Sequence, residues 1–214
     1  MPVLRSPGIR RREFMLGSAA ALAWAGCAGD SPVGGPDGGG EPAGGDGGNA
    51  DGSTGACSET EANIEGPFYK EGAPSRMVLI DEDTPGTRVT ITGRVLDAAG
   101  CAPLAGATLD VWQADAGGAY DDVGYQLRGV LQTAEDGTYE IVTIVPGHYL
   151  NGDRYRPAHI HVKASAEGHE LLTTQLYFAG DPYNEGDPFI RDSLIMTPTE
   201  NPDGSLAAEF DFVI

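Results

Sequence analysis

Short runs of alternating apolar and polar residues dominate the second half of the chain. Residues 89–96 place apolar side chains at nearly every second position, as a strand with one buried face does. Further strands are predicted at residues 107–113, 139–145, 158–164 and 171–178, with a short edge strand at 210–213. Turn signals separate these runs, and no stretch keeps a helical period. The pattern predicts an all-β domain, a β-sandwich with long loops.

A change of composition marks where this domain begins. Residues 28–56 are almost entirely Gly, Asp, Pro, Ala, Ser and Asn. Such a segment buries too little apolar surface to offset the entropy of ordering it, so a disordered linker is predicted there. Residues 57–214 remain, which is enough for one domain with a sizeable core.

The first 27 residues have the features of an export signal. Arg10, Arg11 and Arg12 precede an apolar run at residues 19–25, which is too short to span a bilayer. This pattern resembles a bacterial twin-arginine signal, with an ordinary secretory signal as the alternative. Small residues before Cys27 resemble a lipoprotein cleavage box, although Trp24 stands where leucine is usual. We therefore expect an exported, periplasmic or otherwise extracytoplasmic protein, and a lipid anchor at Cys27 stays open.

Export changes what is expected of the cysteines. The chain has three, and if Cys27 is lipidated, Cys57 and Cys101 are left as a pair in an oxidising compartment. A disulfide between them is predicted, with two free thiols as the alternative. The net charge of −19 favours solubility and argues against nucleic acid as a partner, because phosphates would be repelled.

Two of the four histidines lie two positions apart on one predicted strand. His159 and His161 project to the same face, close enough to share a metal ion. A His-x-His pair is a weak signal by itself, since two half-buried histidines would look the same and zinc and copper sites also use it. Tyr120 and Tyr149 precede this strand in the chain, and two phenolates would favour Fe(III). With eight tyrosines present, spacing alone does not select these two.

Seven ordered segments resemble the intradiol ring-cleavage dioxygenases, which include the protocatechuate and catechol dioxygenases. They span nearly all of the predicted domain and read EGPFY at 65–69, WQA at 112–114, LRG at 127–129, DGTY at 136–139, TIVPG at 143–147, RPAHIH at 156–161 and TQLYFAGDP at 174–182. The resemblance implies a mononuclear non-haem Fe(III) enzyme that uses O₂ to open catechol rings between the two hydroxyls, giving cis,cis-muconate-type products.

The resemblance also implies roles for individual residues. The iron ligands would be Tyr120, Tyr149, His159 and His161, with Tyr149 as the axial ligand that leaves when substrate binds. Arg156 matches an arginine that offers positive charge where negative charge develops during reaction. A plain salt bridge from Arg156 to Asp153 or another carboxylate is the alternative. Gln175 matches a glutamine near the substrate.

Two departures from the family pattern concern substrate and assembly. Catechol dioxygenases usually have a long helical amino-terminal region, where this chain has the Gly-rich linker. Asn151 stands where protocatechuate dioxygenases carry an aromatic residue, which leaves the ring substituents open. The oligomeric state is open as well. The alternative function is a non-catalytic exported β-sandwich binding module of the carboxypeptidase-regulatory or transthyretin-like type, suggested by the pattern of residues 89–145.

Overall fold

The computed structural model describes residues 57–214. The predicted signal at 1–27, the possible lipidation of Cys27 and the predicted linker at 28–56 lie outside the described residues. The described part contains twelve β-strands and one 3₁₀ helix: β1 Arg88–Leu96, β2 Thr108–Gln113, β3 Arg128–Gln132, β4 Thr138–Ile144, β5 Leu150–Asn151, β6 Arg154–Tyr155, β7 His159–Ser165, β8 Leu172–Phe178, the 3₁₀ helix Asp192–Leu194, β9 Ile195–Met196, β10 Thr199–Glu200, β11 Leu206–Glu209 and β12 Phe212–Val213. No helix between residues 57 and 214 is long and apolar enough to cross a membrane.

Two five-stranded sheets carry most of the structure. The first has the order β10-β11-β1-β12, with β4 pairing antiparallel to β1. The second has the order β3-β2-β7-β8-β9. The strands β5 and β6 form a separate two-stranded hairpin. The predicted all-β sandwich is confirmed, and residues 57–214 contain no α-helix.

The core lies between the two sheets because one face of each strand is apolar. From the first sheet Val89, Ile91 and Ile141 are buried, and from the second Val111 and Val162. In β7 these inward residues alternate with His159, His161 and Lys163 on the other face. The outer face of the second sheet is therefore free to carry polar chemistry.

The strand predictions agree with the structure to within two residues at each end, except at β3 and the shortest strands. The strand β3 was not predicted because it has five residues, includes Gly129, and does not alternate clearly. Gly129 is required there, since an added Cβ would lie 2.5 Å from a Leu79 methyl carbon and 2.7 Å from the Arg76 carbonyl oxygen. The predicted edge strand at 210–213 is present as β12, which pairs parallel to the end of β1.

The disulfide between Cys57 and Cys101 is confirmed, with the two Cα atoms 5.3 Å apart. It ties the start of the described chain to the turn after β1. Because the bridge joins residues 44 positions apart, loop-closure entropy predicts that its loss lowers the free energy of unfolding by about 4 kcal/mol. Urea unfolding of the Cys57→Ser/Cys101→Ser variant should show this as a lower midpoint. An unchanged midpoint would contradict it.

Candidate metal centre

A row of polar side chains crosses the outer face of the second sheet. His161 of β7 lies opposite Trp112 of β2 on one side and Gln175 of β8 on the other. His159 lies opposite Tyr177 in the same way. All five side chains are almost completely buried although they face away from the sandwich core. The loops that cover them must therefore complete a site.

Two of these loops bring in the tyrosines. Tyr120 follows a turn after β2 in which the Asp115 carboxylate accepts hydrogen bonds from the backbone N–H groups of Gly117 and Ala119. Tyr149 follows Gly147, whose N–H donates to the Asp115 carbonyl at 2.8 Å. Glycine is needed at this contact, since a Cβ on Gly147 would lie 2.5 Å from the Ala116 carbonyl oxygen. The two tyrosine loops are thus packed backbone against backbone.

Three potential donor atoms converge. The Tyr120 hydroxyl lies 3.3 Å from His159 Nε2 and 3.2 Å from His161 Nε2. His159 Nδ1 lies 2.7 Å from the Pro157 carbonyl, which fixes the proton on Nδ1 and leaves a lone pair on Nε2. Tyr120 can donate its proton to His159 Nε2 and accept one from His161 Nε2, but His161 Nδ1 then stays buried without a hydrogen-bond partner in the described structure. Two imidazole nitrogens that approach one phenol oxygen in this way also have the form of a metal site.

Burial sets the protonation of these groups. It lowers the pKa of His159 to about 4, with the nearby Arg156 charge adding to the effect. The pKa of His161 is also lowered well below its usual value, by burial and then by His159. Both imidazoles are therefore neutral at physiological pH, as metal ligands must be. Burial and then Tyr149 raise the pKa of Tyr120, so its phenol needs a cation to ionise at neutral pH.

Tyr149 completes the group at a slightly greater distance. Its ring centroid is 5.8 Å from those of Tyr120 and His159. Its hydroxyl lies 3.5 Å from Arg156 Nη1. Phe68 stacks on Tyr120 at 4.3 Å and meets the edge of Tyr149 at 5.7 Å, so it lies against both phenols.

The donor set fits a ferric ion. Two neutral imidazole nitrogens and two phenol oxygens, which are hard donors once ionised, match Fe(III) better than a soft or monovalent ion. Among the residues that the structure describes, no group of three or more His, Cys, Asp and Glu could hold a metal. The pair His159 and His161 therefore depends on tyrosine oxygens to complete a coordination sphere.

Arg156 and Gln175 lie beside the donors and contact each other. Arg156 Nη2 donates to Gln175 Oε1 at 2.9 Å and to the Tyr177 hydroxyl at 3.4 Å. Gln175 Nε2 donates to the Ile64 carbonyl at 2.7 Å. The carboxylate that pairs with Arg156 is Asp187, at 2.5 Å from Nε, and not Asp153. Burial lowers the pKa of Arg156, but the charge and the hydrogen bond of Asp187, with smaller contributions from Tyr177 and Tyr149, together raise it above its usual value.

A cavity of about 400 Å³ opens next to Arg156. The β5–β6 hairpin and residues 183–189 line it, including Asn151, Tyr155 and Tyr183. A larger open groove of about 920 Å³ lies elsewhere, lined by residues of the first sheet such as Thr92 and Tyr139. None of the four donor residues lines either cavity, but the one near Arg156 is the better candidate for substrate access, because Arg156 contacts the Tyr149 hydroxyl. A smaller cavity of about 210 Å³ is lined by Tyr120 itself.

The structure brings together all six side chains that were singled out from the sequence: Tyr120, Tyr149, Arg156, His159, His161 and Gln175. Sequence reasoning missed Phe68, Trp112, Tyr177 and Asp187. For Trp112, which stacks on the His161 ring at 4.7 Å, the alternation of β2 next to the histidine strand was a usable signal. Asp187 gave no signal, since it lies in an irregular loop 31 residues after Arg156.

Comparison with known proteins agrees with this geometry. A family profile described as "Dioxygenase" matches residues 64–214. The chain is 38% identical over 161 residues to the chlorocatechol 1,2-dioxygenase of Rhodococcus opacus, covering 63% of this chain and 62% of that protein. It is 34% identical over 180 residues to the catechol 1,2-dioxygenase of Acinetobacter baylyi, covering 72% of this chain and 58% of that one. The chain thus spans about three-fifths of the length of these relatives.

Solved structures give the same result. The dioxygenase domain of a dioxygenase and carbohydrate-binding protein fusion from Streptomyces sp. SirexAA-E superposes with a TM-score of 0.69 and 43% identity, over 73% of this chain and 98% of that one. The 3-chlorocatechol 1,2-dioxygenase of Rhodococcus opacus superposes with a TM-score of 0.67 and 31% sequence identity, covering 72% of this chain and 71% of that one. With a profile match over most of the chain and relatives of this similarity, the protein belongs to the intradiol ring-cleavage dioxygenase family.

Proposed function

We propose that this domain cleaves catechol-type rings between their two hydroxyls with O₂, using one non-haem Fe(III) ion, and gives cis,cis-muconate-type products. The observation that carries the proposal is the convergence of the Tyr120 hydroxyl with the Nε2 atoms of His159 and His161. Relatives named chlorocatechol, hydroxyquinol and catechol 1,2-dioxygenases support the substrate class. These residues, with Tyr149, would hold the iron.

When bound, the ferric ion supplies Lewis acidity that activates a chelated catecholate toward O₂. The protein contributes a closed and oriented environment. Phe68 and Trp112 pack against the rings of Tyr120 and His161, which keeps water from that side of the donors. Arg156, held in a buried pocket, offers positive charge on the side where Tyr149 lies.

Tyr149 is suited to the role of the ligand that is released. It is only partly buried, and Arg156 Nη1 is within reach of its hydroxyl oxygen. A phenolate released from a ligand position would accept a proton from the incoming catechol and so act as a base. Tyr120 lies between both imidazoles and has no comparable partner outside the cluster, which suits a ligand that stays.

The simplest experiment measures metal, colour and product together. We expect one iron per chain, a wine-red colour from tyrosinate charge transfer, and loss of colour on removal of the iron. Catechol should give a six-carbon dicarboxylic acid that has taken up both atoms of ¹⁸O₂, which mass spectrometry checks. A colourless zinc protein, or an iron-free one that leaves catechol intact, would instead favour another metal site or a non-catalytic sandwich module.

The two tyrosines should differ on substitution. Tyr149→Phe is expected to keep iron, shift the charge-transfer band and turn over slowly, because a base and leaving ligand is lost. Tyr120→Phe is expected to remove much of the charge-transfer band that remains after substrate binds. Absorption spectra with and without catechol check both. Equal effects of the two substitutions would contradict the assignment of distinct roles. Tyr125→Phe is the matched control, since the Tyr125 hydroxyl donates to the Glu71 carbonyl and the residue does not line the cavity beside Arg156.

We further propose that the protein is exported by a twin-arginine-type signal. The support is the sequence of residues 10–25 together with the disulfide, which is typical of oxidising compartments. Cell fractionation of wild-type protein and of an Arg11→Lys/Arg12→Lys variant tests export. Cys27→Ala tests the lipid anchor, since an anchored protein should then leave the membrane fraction. Wild-type protein that stays in the cytoplasm would overturn the proposal.

A further inference from the structure

The buried ion pair between Arg156 and Asp187 is not explained by the metal donors alone. Arg156 Nε donates to Asp187 Oδ2 at 2.5 Å, and the two side chains are 4% and 1% exposed. Breaking one partner of such a pair is costly, yet intact buried pairs contribute little to stability compared with apolar side chains. The pair therefore calls for a reason other than stability.

The guanidinium of Arg156 is held on every edge. Nε faces Asp187, Nη2 faces Gln175 and Tyr177, and Nη1 is left facing the Tyr149 hydroxyl. The Phe189 ring covers one face of the guanidinium at 4.7 Å. Because a guanidinium is planar and rigid, fixing the Nε edge fixes the direction of Nη1.

Asp187 is held in place by backbone contacts that are independent of its ion pair with Arg156. Its Oδ1 accepts a hydrogen bond from the Phe189 N–H at 2.8 Å, and its own N–H donates to the Asn184 carbonyl. The carboxylate therefore presents its second oxygen, Oδ2, in one direction. Asp192, five residues further along the chain, is exposed, and its carboxylate makes no hydrogen bond or ion pair in the described structure.

We propose that Asp187 is a positioning residue for ring cleavage, which holds Arg156 by its Nε so that Nη1 stays directed at the Tyr149 hydroxyl and the donor cluster. This inference rests on the proposed function, because Arg156 is the group through which Asp187 acts. Asp187 makes no hydrogen bond to a donor atom of the cluster, although it lies in the wall of the cavity beside Arg156.

The kinetic test uses Asp187→Asn, which keeps the shape of the side chain and removes its charge. We expect kcat to fall about 100-fold, as for a small misplacement of a catalytic group, with a much smaller change in KM and unchanged iron content. Asp187→Glu should recover part of the loss. Asp192→Asn makes the same change at an exposed carboxylate outside the cavity beside Arg156 and should leave kcat unchanged. An unchanged kcat in Asp187→Asn would overturn the proposal.

A double-variant comparison separates positioning from a general structural role. If Asp187 acts through Arg156, adding Asp187→Asn to Arg156→Ala should lower kcat no further. A purely structural role predicts that the two losses multiply, and that result would overturn the proposal. The double variant also removes both charges of the pair, so it should fold where a single change leaves one charge buried without a partner.

A measurement on the metal-free protein keeps this inference independent of activity. The Arg156 Nε–H signal in a ¹⁵N NMR spectrum should exchange slowly with water in the wild type, and about tenfold faster in Asp187→Asn. If the wild type binds no iron and leaves catechol intact, the proposed function fails, while this signal still shows whether Asp187 holds Arg156. Equal exchange in both proteins would overturn the positioning role even in an active enzyme.

Discussion

Replacing His161 with alanine is expected to abolish iron binding and, with it, ring cleavage. Its Nε2 is one of the three atoms that meet at 3.2 to 3.3 Å. Since loss of an outer partner of a metal ligand already costs about 10–100-fold in metal affinity, loss of the ligand itself should cost more. Iron content after purification, measured by mass spectrometry with the visible absorption band, checks the result.

The matched control for this change is His169→Ala. His169 lies on the loop between β7 and β8 and pairs with Asp97 at 3.4 Å, away from the donors. It should keep iron, colour and rate. A red, iron-loaded His161→Ala protein that still cleaves catechol would disprove the assignment of His161 as a ligand.

Replacing Arg156 with alanine should also lower the rate of ring cleavage, but the iron should stay bound. No atom of Arg156 belongs to the donor set, yet its charge lies next to it. Removal of one preorganised charge or donor at a reacting centre usually costs about 10²–10³ in kcat. Stopped-flow kinetics with metal analysis on the same sample checks both parts.

The control for Arg156→Ala is Arg88→Ala, an exposed arginine at the start of β1 whose side chain donates to the Asp81 and Glu82 carbonyls. Because Arg156→Ala leaves Asp187 unpaired, its thermal unfolding must be followed in parallel. If a folded Arg156→Ala protein lost iron as well as rate, Arg156 would instead be needed to retain the metal.

The parts of the site that lie on regular strands could be predicted from the sequence. The period of two in residues 159–161 places both imidazoles on one face, and the same rule puts Gln175 beside His161 once β7 and β8 pair. These positions depend only on alternation and register. The strand ends and the sandwich class follow from the same signal.

The loop residues could not be predicted in this way. Tyr120 and Tyr149 are placed by irregular backbone, so their selection among eight tyrosines depended on the family resemblance. Asp187 reaches Arg156 only because residues 179–191 fold back over the sheet, and no local pattern encodes that return. The alternative of a salt bridge from Arg156 to Asp153 or another carboxylate is met by Asp187, since Asp153 lies in the turn between β5 and β6, where its side chain is exposed.

The tight contact between the two tyrosine loops constrains how the site can move. The Gly147 N–H is bonded to Asp115, and the Arg156 N–H donates to the Tyr149 carbonyl at 2.9 Å. A Cβ on Gly118 would lie 2.2 Å from the His148 carbonyl oxygen, so the backbones have no room to slide. If Tyr149 is the ligand that leaves, as proposed above, its oxygen would be released by rotation of one side chain, which is faster than rearrangement of a loop. Substrate entry in the proposed reaction would then not wait for a lid to open.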